Sequence, residues 1–163
     1  MKTILPASIV MLLLYLFPAC TTGQYLASGD NAEPGNFVRS TNASGAKLYF
    51  YNQTQFRARV SSGAKIYHWD GNTLRAVTSS GAKLFFFDGT SLRHRNKTGA
   101  KVLYFEGNTI RAVNKTGAKL FYIDGQTVRA RNKTGARLLY FEGELEHWAI
   151  IAALLQENLI EHL

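Results

Sequence analysis

The sequence has very little cysteine, and its middle part has little negative charge. Cys20 is the one cysteine in 163 residues, so an intramolecular disulfide is excluded and packing must hold the fold together. Residues 37–143 carry 18 Lys and Arg against 5 Asp and Glu, a net charge of +13, while residues 144–163 carry four Glu and no Lys or Arg. A basic body with an acidic tail indicates that the tail docks on the body, or that the body meets an anionic surface.

Long apolar runs are also scarce, and the clearest one lies near the N-terminus. Residues 9–17 form an uninterrupted apolar stretch that follows Lys2 and precedes Pro18, Ala19 and Cys20. Spanning a bilayer needs roughly 20 residues, so this run is too short to cross comfortably. The order of charged, apolar and small residues is typical of a secretory signal. We predict that residues 1–19 are a signal peptide cleaved before or near Cys20, with a retained membrane helix as the alternative.

The residues around this predicted cleavage site point to lipid attachment. Residues 16–20, Leu-Phe-Pro-Ala-Cys, resemble the lipobox of bacterial lipoproteins. The resemblance implies that Cys20 carries a lipid, which would anchor the chain to a membrane without spanning it. It also implies the outer membrane or the periplasmic face of the envelope. The alternative is an ordinary signal followed by secretion. Residues 20–36 are rich in Gly, Ser, Thr and Pro and are predicted to be a tether.

A fixed repeat dominates the rest of the chain. The tripeptide Gly-Ala-Lys, or Gly-Ala-Arg in the last copy, recurs every 18 residues and begins at Gly45, Gly63, Gly81, Gly99, Gly117 and Gly135. A half-copy precedes these six units, because residues 35–39 align with residues 71–75. Such self-similarity indicates a repeat architecture.

Each unit holds two short runs of aromatic and β-branched residues separated by turn residues, a pattern typical of β-hairpins. We therefore predict a mostly β fold in which residues 37–143 form a long, twisted antiparallel meander of about 13 strands. The alternative is a β-solenoid. That geometry would stack equivalent Lys, Arg and acidic residues about 4.8 Å apart, and like charges placed directly opposite destabilise a sheet.

The hairpin pattern assigns each side chain to one of two faces. With three-residue loops at both turns, the aliphatic columns form a core face, and a second face combines aromatic and basic residues. Two-residue loops at the acidic turns would exchange some columns, since a one-residue slip inverts the faces. On the second face, aromatic rings could stack on sugars and Arg could pair with carboxylate or phosphate; alternatively, the arginines cover neighbouring rings. The candidate ligand-binding residues are Tyr49, Tyr67, Trp69, Phe87, Arg57, Arg75, Arg93, Arg111 and Arg129.

Residues 144–163 are predicted to form one amphipathic helix, because their apolar positions follow helical spacing. The segment from Trp148 to Leu155 is apolar on all sides and too short to span a bilayer, so it should be buried in protein. The helix could cap the repeat array, or it could dock on a partner. The candidate docking residues are Trp148, Ile151, Leu155 and Leu159.

The sequence offers no arrangement of residues that indicates catalysis, a metal site or a cofactor. Of the four histidines, His68 and His94 occupy columns that are aromatic or Ala in other repeats, and they are interpreted as packing variants; the others are His147 and His162. The hairpins are distantly similar to those of bacterial cell-wall-binding and RHS-type proteins, but the period and the Gly-Ala-Lys start differ. No functional residue is assigned from that similarity.

We therefore predict a non-enzymatic exported repeat protein that acts as a structural or accessory scaffold of the bacterial envelope. The first alternative is a glycan-binding module or adhesin. The second is a self-associating fibre subunit, because uniform hairpins invite pairing of strand edges. The expected partners are an envelope protein complex or an anionic glycan, and a membrane through the N-terminal lipid. Nucleic acid is not an expected partner.

Overall fold

The computed structural model describes residues 36–160. The predicted signal peptide, the predicted lipid at Cys20, His162 and nearly all of the predicted tether therefore lie outside the described residues. The described elements, in chain order, are β1 (Asn36–Ser40), β2 (Lys47–Tyr51), β3 (Gln55–Ala58), β4 (Lys65–Trp69), β5 (Thr73–Ala76), β6 (Lys83–Phe87), β7 (Ser91–His94), β8 (Lys101–Glu106), β9 (Thr109–Ala112), β10 (Lys119–Asp124), β11 (Thr127–Ala130), β12 (Arg137–Glu142) and α1 (His147–Gln156).

The twelve strands pair antiparallel in sequence order and form a closed barrel. The predicted meander of tandem hairpins is confirmed, and the solenoid alternative is wrong. Closure of the sheet was not predicted: β1 pairs with β12 and completes a ring. A twisted sheet of this many strands tends to curl, and here the curl brings its two ends into register.

The half-copy at the N-terminus explains the closure. Within a hairpin, β4 and β5 pair Trp69 with Leu74 and His68 with Arg75. At the seam, β12 and β1 pair Phe141 with Val38 and Tyr140 with Arg39, which are the equivalent positions of the repeat. The first strand thus supplies the second half of the sixth repeat. The chain after β12 is free to form α1, so there are twelve strands rather than the predicted 13.

The loops decide which face points inward. The acidic turns hold two residues: Glu106 pairs with Thr109 and Asp124 with Thr127, and at the earlier turns the Asp70 N–H donates to the Thr73 carbonyl. The pairs joined by the longer loops each contain a register shift, as between Phe56 and Arg57. The structure therefore has the arrangement expected for two-residue turns, in which some columns of side chains lie on the face opposite to the one first assigned. The aromatic column predicted to lie on a surface faces the interior instead.

Three inward-facing rows make the wall of the core. The rows are Tyr51, Trp69, Phe87, Phe105, Ile123 and Phe141; Tyr49, Tyr67, Phe85, Leu103, Phe121 and Leu139; and Val38, Phe56, Leu74, Leu92, Ile110 and Val128. Most of these side chains are buried, and the exceptions are partly buried. The repeat therefore builds three rings of six side chains around the barrel axis.

Helix α1 fills the barrel. It is shorter than the predicted 144–163, yet all residues from Trp148 to Leu154 are buried. The indole of Trp148 stacks on Trp69 with ring centroids 5.8 Å apart and meets Tyr51 edge to face. His147 at the start of the helix also contacts the inward-facing rings of Phe87 and Phe105. Because the helix is buried and its contacts are with inward-facing side chains, α1 lies in the barrel interior. The expectation that the apolar belt is buried within the protein is confirmed.

Candidate functional site: the basic rim of the barrel

The barrel has two chemically different rims. We define the short-turn rim as residues 52–54, 70–72, 88–90, 106–108, 124–126 and 142–146. The basic rim comprises the six-residue loops 41–46, 59–64, 77–82, 95–100, 113–118 and 131–136, together with the first residue of the strand that follows each loop. Strand β1 begins at the short-turn rim, where Asn36 pairs with Tyr51.

Five acids at the short-turn rim are paired with arginine. The Arg75 Nε donates to Asp70 Oδ2 at 2.5 Å, and its Nη1 donates to the carbonyl of Gly81 at 3.2 Å. Each such arginine therefore links an acidic turn to a loop of the opposite rim along the outside of the barrel. The five Arg–acid ion pairs are Arg39–Glu142, Arg75–Asp70, Arg93–Asp88, Arg111–Glu106 and Arg129–Asp124.

At two of the turns, the pKa of the acid is lowered. Partial desolvation acts to raise the pKa of Asp70, but the hydrogen bond and charge of Arg75 outweigh it and hold the pKa below its usual range. Asp88 behaves similarly: desolvation is opposed by backbone N–H donors of Ser91 and Thr90 and by Arg93, and its pKa is lowered. These two carboxylates are thus ionised at neutral pH and neutralise Arg75 and Arg93.

Arg57 has no acid beside it, because Asn52 occupies the turn position. Its Nη2 bonds Gln55 Oε1 at 2.5 Å and its Nη1 bonds the Gly63 carbonyl at 3.0 Å. All five arginines predicted to bind a ligand are therefore held on the outer wall by a glycine carbonyl and by a second side chain, which is a turn acid in four cases and Gln55 for Arg57.

Positive charge at the basic rim is not paired in this way. Twelve cations lie there, all exposed: Lys47, Arg59, Lys65, Lys83, Arg95, Lys97, Lys101, Lys115, Lys119, Arg131, Lys133 and Arg137. None of the ion pairs formed within residues 36–160 involves any of them. Lys47 makes a different contact, with its Nζ 3.8 Å from the centre of the Phe37 ring. The described barrel therefore carries its uncompensated positive charge at one end.

The loops of this rim have a rigid, repeated geometry. Asn96 Oδ1 accepts hydrogen bonds from the backbone N–H and the hydroxyl of Thr98 at 3.0 and 2.8 Å, and the next two repeats do the same. Gly99 is required by close approach, because a Cβ there would lie 1.8 Å from the carbonyl oxygen of His94. The residues of these loops with positive φ are instead non-glycine residues at the start of each loop.

The first residue of each basic-rim loop has a left-handed backbone. Its φ lies between 52° and 60° in all six loops, which hold Thr41, Arg59, Val77, Arg95, Val113 and Arg131 at this position. Three of the six are cations and two are valines, and the two types alternate around the ring. Both types project from the same place in the repeat.

The mouth of the barrel at the basic rim contains two open clefts. One, of about 670 Å³, is lined by Leu84, Phe85, His94 and Arg95 among others. The other, of about 690 Å³, lies at the equivalent place two repeats earlier and includes Arg59 and the end of the helix at Gln156. In both clefts apolar side chains lie beside cations.

The structure places the predicted aromatic ligand residues inside the barrel wall. Phe87 is buried, and Tyr49, Tyr67 and Trp69 are partly buried. The Tyr49 hydroxyl donates to Glu157 at 2.5 Å, and the Tyr67 hydroxyl lies 3.2 Å from Gln156 Oε1. Burial raises the pKa of Tyr49, and Glu157 adds to the effect. These rings hold the helix, and they lie on the opposite side of the sheet from the arginines with which they were grouped.

The predicted docking residues are divided between the interior and the basic rim. Trp148 and Ile151 are buried in the barrel, Leu155 is half-buried, and Leu159 is 38% exposed. A partner could reach Trp148 only if the barrel opened. The Trp148 indole N–H instead donates to Glu146 at 2.5 Å.

The described histidines sit against aromatic rings or on the outer wall. His147 contacts Phe87 and Phe105, and its partial burial lowers its pKa. His94 lies 5.2 Å from Phe85 between ring centroids. His68 pairs with Arg75 on the outer face of the sheet. Between residues 36 and 160, no three His, Cys, Asp or Glu side chains group in a way that could hold a metal ion.

The sequence contains a feature that distinguishes the arginines paired with acids from the unpaired cations, but the predictions above did not use it. An acid precedes an arginine by five positions in four of the repeats, as in Asp70 and Arg75. Two-residue turns bring such a pair together across a hairpin.

Within the described part of the chain, no helix has the length and apolar character needed to cross a membrane. Searches of family models, of curated proteins and of solved structures find no match to this chain.

Proposed function

We propose that this chain is a non-catalytic, exported accessory protein of the bacterial envelope that binds an anionic partner through the basic rim. The observation that carries the proposal is the unequal distribution of charge. Twelve exposed cations without an ion-pair partner in the described barrel gather at one end, while the acids of the other end neutralise their arginines. One-signed fields of this kind concentrate counter-ions and guide charged partners.

The barrel suits a scaffold that presents this charge. Its wall and helix form one apolar core, so the rim loops are fixed to a rigid support. Export, cleavage near Cys20 and attachment by a lipid at that residue form part of the proposal and are supported by the sequence pattern alone. The self-association alternative is not favoured, because every described strand has a neighbour on both sides and closure removes free edges.

A glycan-binding role remains in the proposal, but at a different surface. Four of the arginines first considered for it pair with turn acids, Arg57 bonds to Gln55 and Gly63, and the aromatic rings lie in the interior. An anionic glycan would instead meet the lysines and arginines of the basic rim. An envelope protein complex with an acidic surface would meet the same residues.

The test compares two variants that change the net charge equally at opposite ends of the barrel. Variant one is Lys97→Gln, Lys115→Gln and Lys133→Gln at the basic rim. Variant two is Asn72→Glu, Thr90→Glu and Asn108→Glu at exposed positions of the short-turn rim. On a heparin column, variant one should elute at clearly lower salt than wild type, and variant two should elute close to wild type.

The outcome depends on the location of the charge, since exposed charges more than about 10 Å apart are largely screened at 0.1 M salt. Equal shifts for the two variants would mean that overall charge, not the rim, governs retention. A wild-type protein that is not retained would overturn the proposed function.

A further inference from the structure

Exposed apolar side chains collect at the basic rim. Among the described residues, the large hydrophobic side chains with substantial exposure are Val60 at 46%, Val77 at 47%, Val113 at 46% and Leu159 at 38%. The three valines lie in basic-rim loops. Leu159 follows shortly after Gln156, which lines the cleft that Arg59 and Val60 also line. Charge and exposed apolar surface therefore coincide at one end of the molecule.

The fold itself does not require valine at these places. Val77 and Val113 have φ of 56° and 59°, and a β-branched residue in this region is strained. The same backbone position holds arginine in the repeats between and beside them, with φ of 56° to 60°. Exposed valine in a strained backbone costs stability, and such a cost at an exposed position indicates a role outside the fold.

The arrangement of these groups matches a plane better than a line. Equivalent loops are separated by two strands, or roughly 10 Å along the barrel wall, and the closed ring carries them around the whole circumference. An extended polymer chain would meet only part of such a ring. A flat anionic surface would meet all six loops at once, with cations on its charges and the valines between them.

We propose that the basic rim docks the protein on the surface of an anionic lipid bilayer. The lysines and arginines pair with headgroup phosphates, and Val60, Val77, Val113 and Leu159 enter the boundary between headgroups and acyl chains. Amphipathic surfaces bind membranes through this combination of apolar burial and attraction to anionic lipids. The inference rests on the proposed function, since it identifies the anionic partner of the same rim.

The first test reports which end of the barrel meets lipid. In the full chain with Cys20→Ser, a single cysteine is introduced by Val113→Cys at the basic rim or by Asn108→Cys at the short-turn rim, and is labelled with an environment-sensitive dye. On vesicles of phosphatidylcholine and phosphatidylglycerol, the dye at position 113 should shift to the blue and the dye at position 108 should not. Pure phosphatidylcholine vesicles should give a much smaller shift at position 113. A shift at position 108 equal to that at 113, or no shift at 113, would overturn the inference.

The second test separates this inference from the proposed function. The combined variant Val60→Ser, Val77→Ser and Val113→Ser should bind the anionic vesicles about tenfold more weakly while its retention on heparin stays at the wild-type level. The Lys97→Gln, Lys115→Gln, Lys133→Gln variant should lose about a hundredfold on vesicles, at about 1 kcal/mol per cation near the surface, and should lose heparin retention too.

Two results decide between the claims. If the wild-type protein binds heparin but the dye at position 113 does not shift on the vesicles, the membrane inference is wrong and a soluble polyanion is the partner. A protein that binds neither would sink both claims.

Discussion

Replacing Trp148 with alanine tests whether the helix truly fills the barrel. The Trp148 side chain is 3% exposed, stacks on Trp69 and meets Tyr51. Removing a buried Trp side chain typically costs about 3–5 kcal/mol through lost burial and the cavity left behind. Domains commonly have about 5–15 kcal/mol in total, so Trp148→Ala should remove a large part of the stability.

The same cost can be stated as a melting temperature. For a domain of this size, 1 kcal/mol corresponds to roughly 4 °C, so Trp148→Ala should lower the Tm by about 12–20 °C. The assay is thermal and urea unfolding followed by circular dichroism. The control on the same C-terminal segment is Leu159→Ala, which should change stability by about 0.5 kcal/mol or less because Leu159 is at the surface.

A second signal comes from the same pair of indoles. Trp69 and Trp148 are the two tryptophans of the chain, and their rings are nearly parallel, with an angle of 8° between planes. Rings held in fixed packing should give sharp tryptophan bands in the near-ultraviolet circular dichroism spectrum, and Trp148→Phe should weaken them. If Trp148→Ala costs no more than Leu159→Ala and the wild-type protein lacks these bands, the helix does not occupy the barrel and the reasoning is wrong.

Three further predictions concern the loops, the seam and pH. Gly99→Ala should cost about 1–3 kcal/mol or more in urea unfolding, because its Cβ would overlap a backbone oxygen; a near-neutral effect would contradict the loop geometry. A double-mutant cycle on Arg39 and Glu142 should give a coupling of about 0.5 kcal/mol, equal to that of the pair Arg111 and Glu106, whose exposure is nearly the same; zero coupling at the first pair alone would mean that the barrel is open. Because burial lowers the pKa of His147, its protonation opposes folding, so stability should fall as the pH drops below about 6.5. In His147→Phe that part of the fall should disappear in melts at pH 5 and pH 8; an unchanged slope would exclude His147 as its source.

The sequence predicts the local structure well and the global closure poorly. Hairpins follow from the 18-residue period and from glycine at the acidic turns, where Gly71 has φ of 89°. Closure depends on pairing between residues about a hundred positions apart, such as Arg39 and Glu142, which leaves no periodic signal. The alignment of residues 35–39 with residues 71–75 identifies the half-copy. That the half-copy completes the last repeat becomes clear only from the pairing of β1 with β12.

The assignment of faces was wrong for a similar reason. Whether the acidic turn holds two or three residues decides which column points inward, and the choice depends on register along the entire hairpin. The all-apolar segment of the tail carried more information, because Trp148 to Leu154 could be stable only inside a protein core. The composition does not reveal the basic rim, because the count of Lys and Arg does not distinguish the unpaired cations from the arginines that pair with acids.

Closure through β1 and β12 also sets an order of events for the growing chain. The first strand to be synthesised has its second neighbour only after residue 142 has been made, and the helix that fills the interior comes later still. Until then both ends of the sheet have unpaired backbone groups, and the inward rings have no helix to pack against. The final, cooperative step of folding is therefore delayed until residues 36–156 have all been made, and no shorter stretch of hairpins can complete the core.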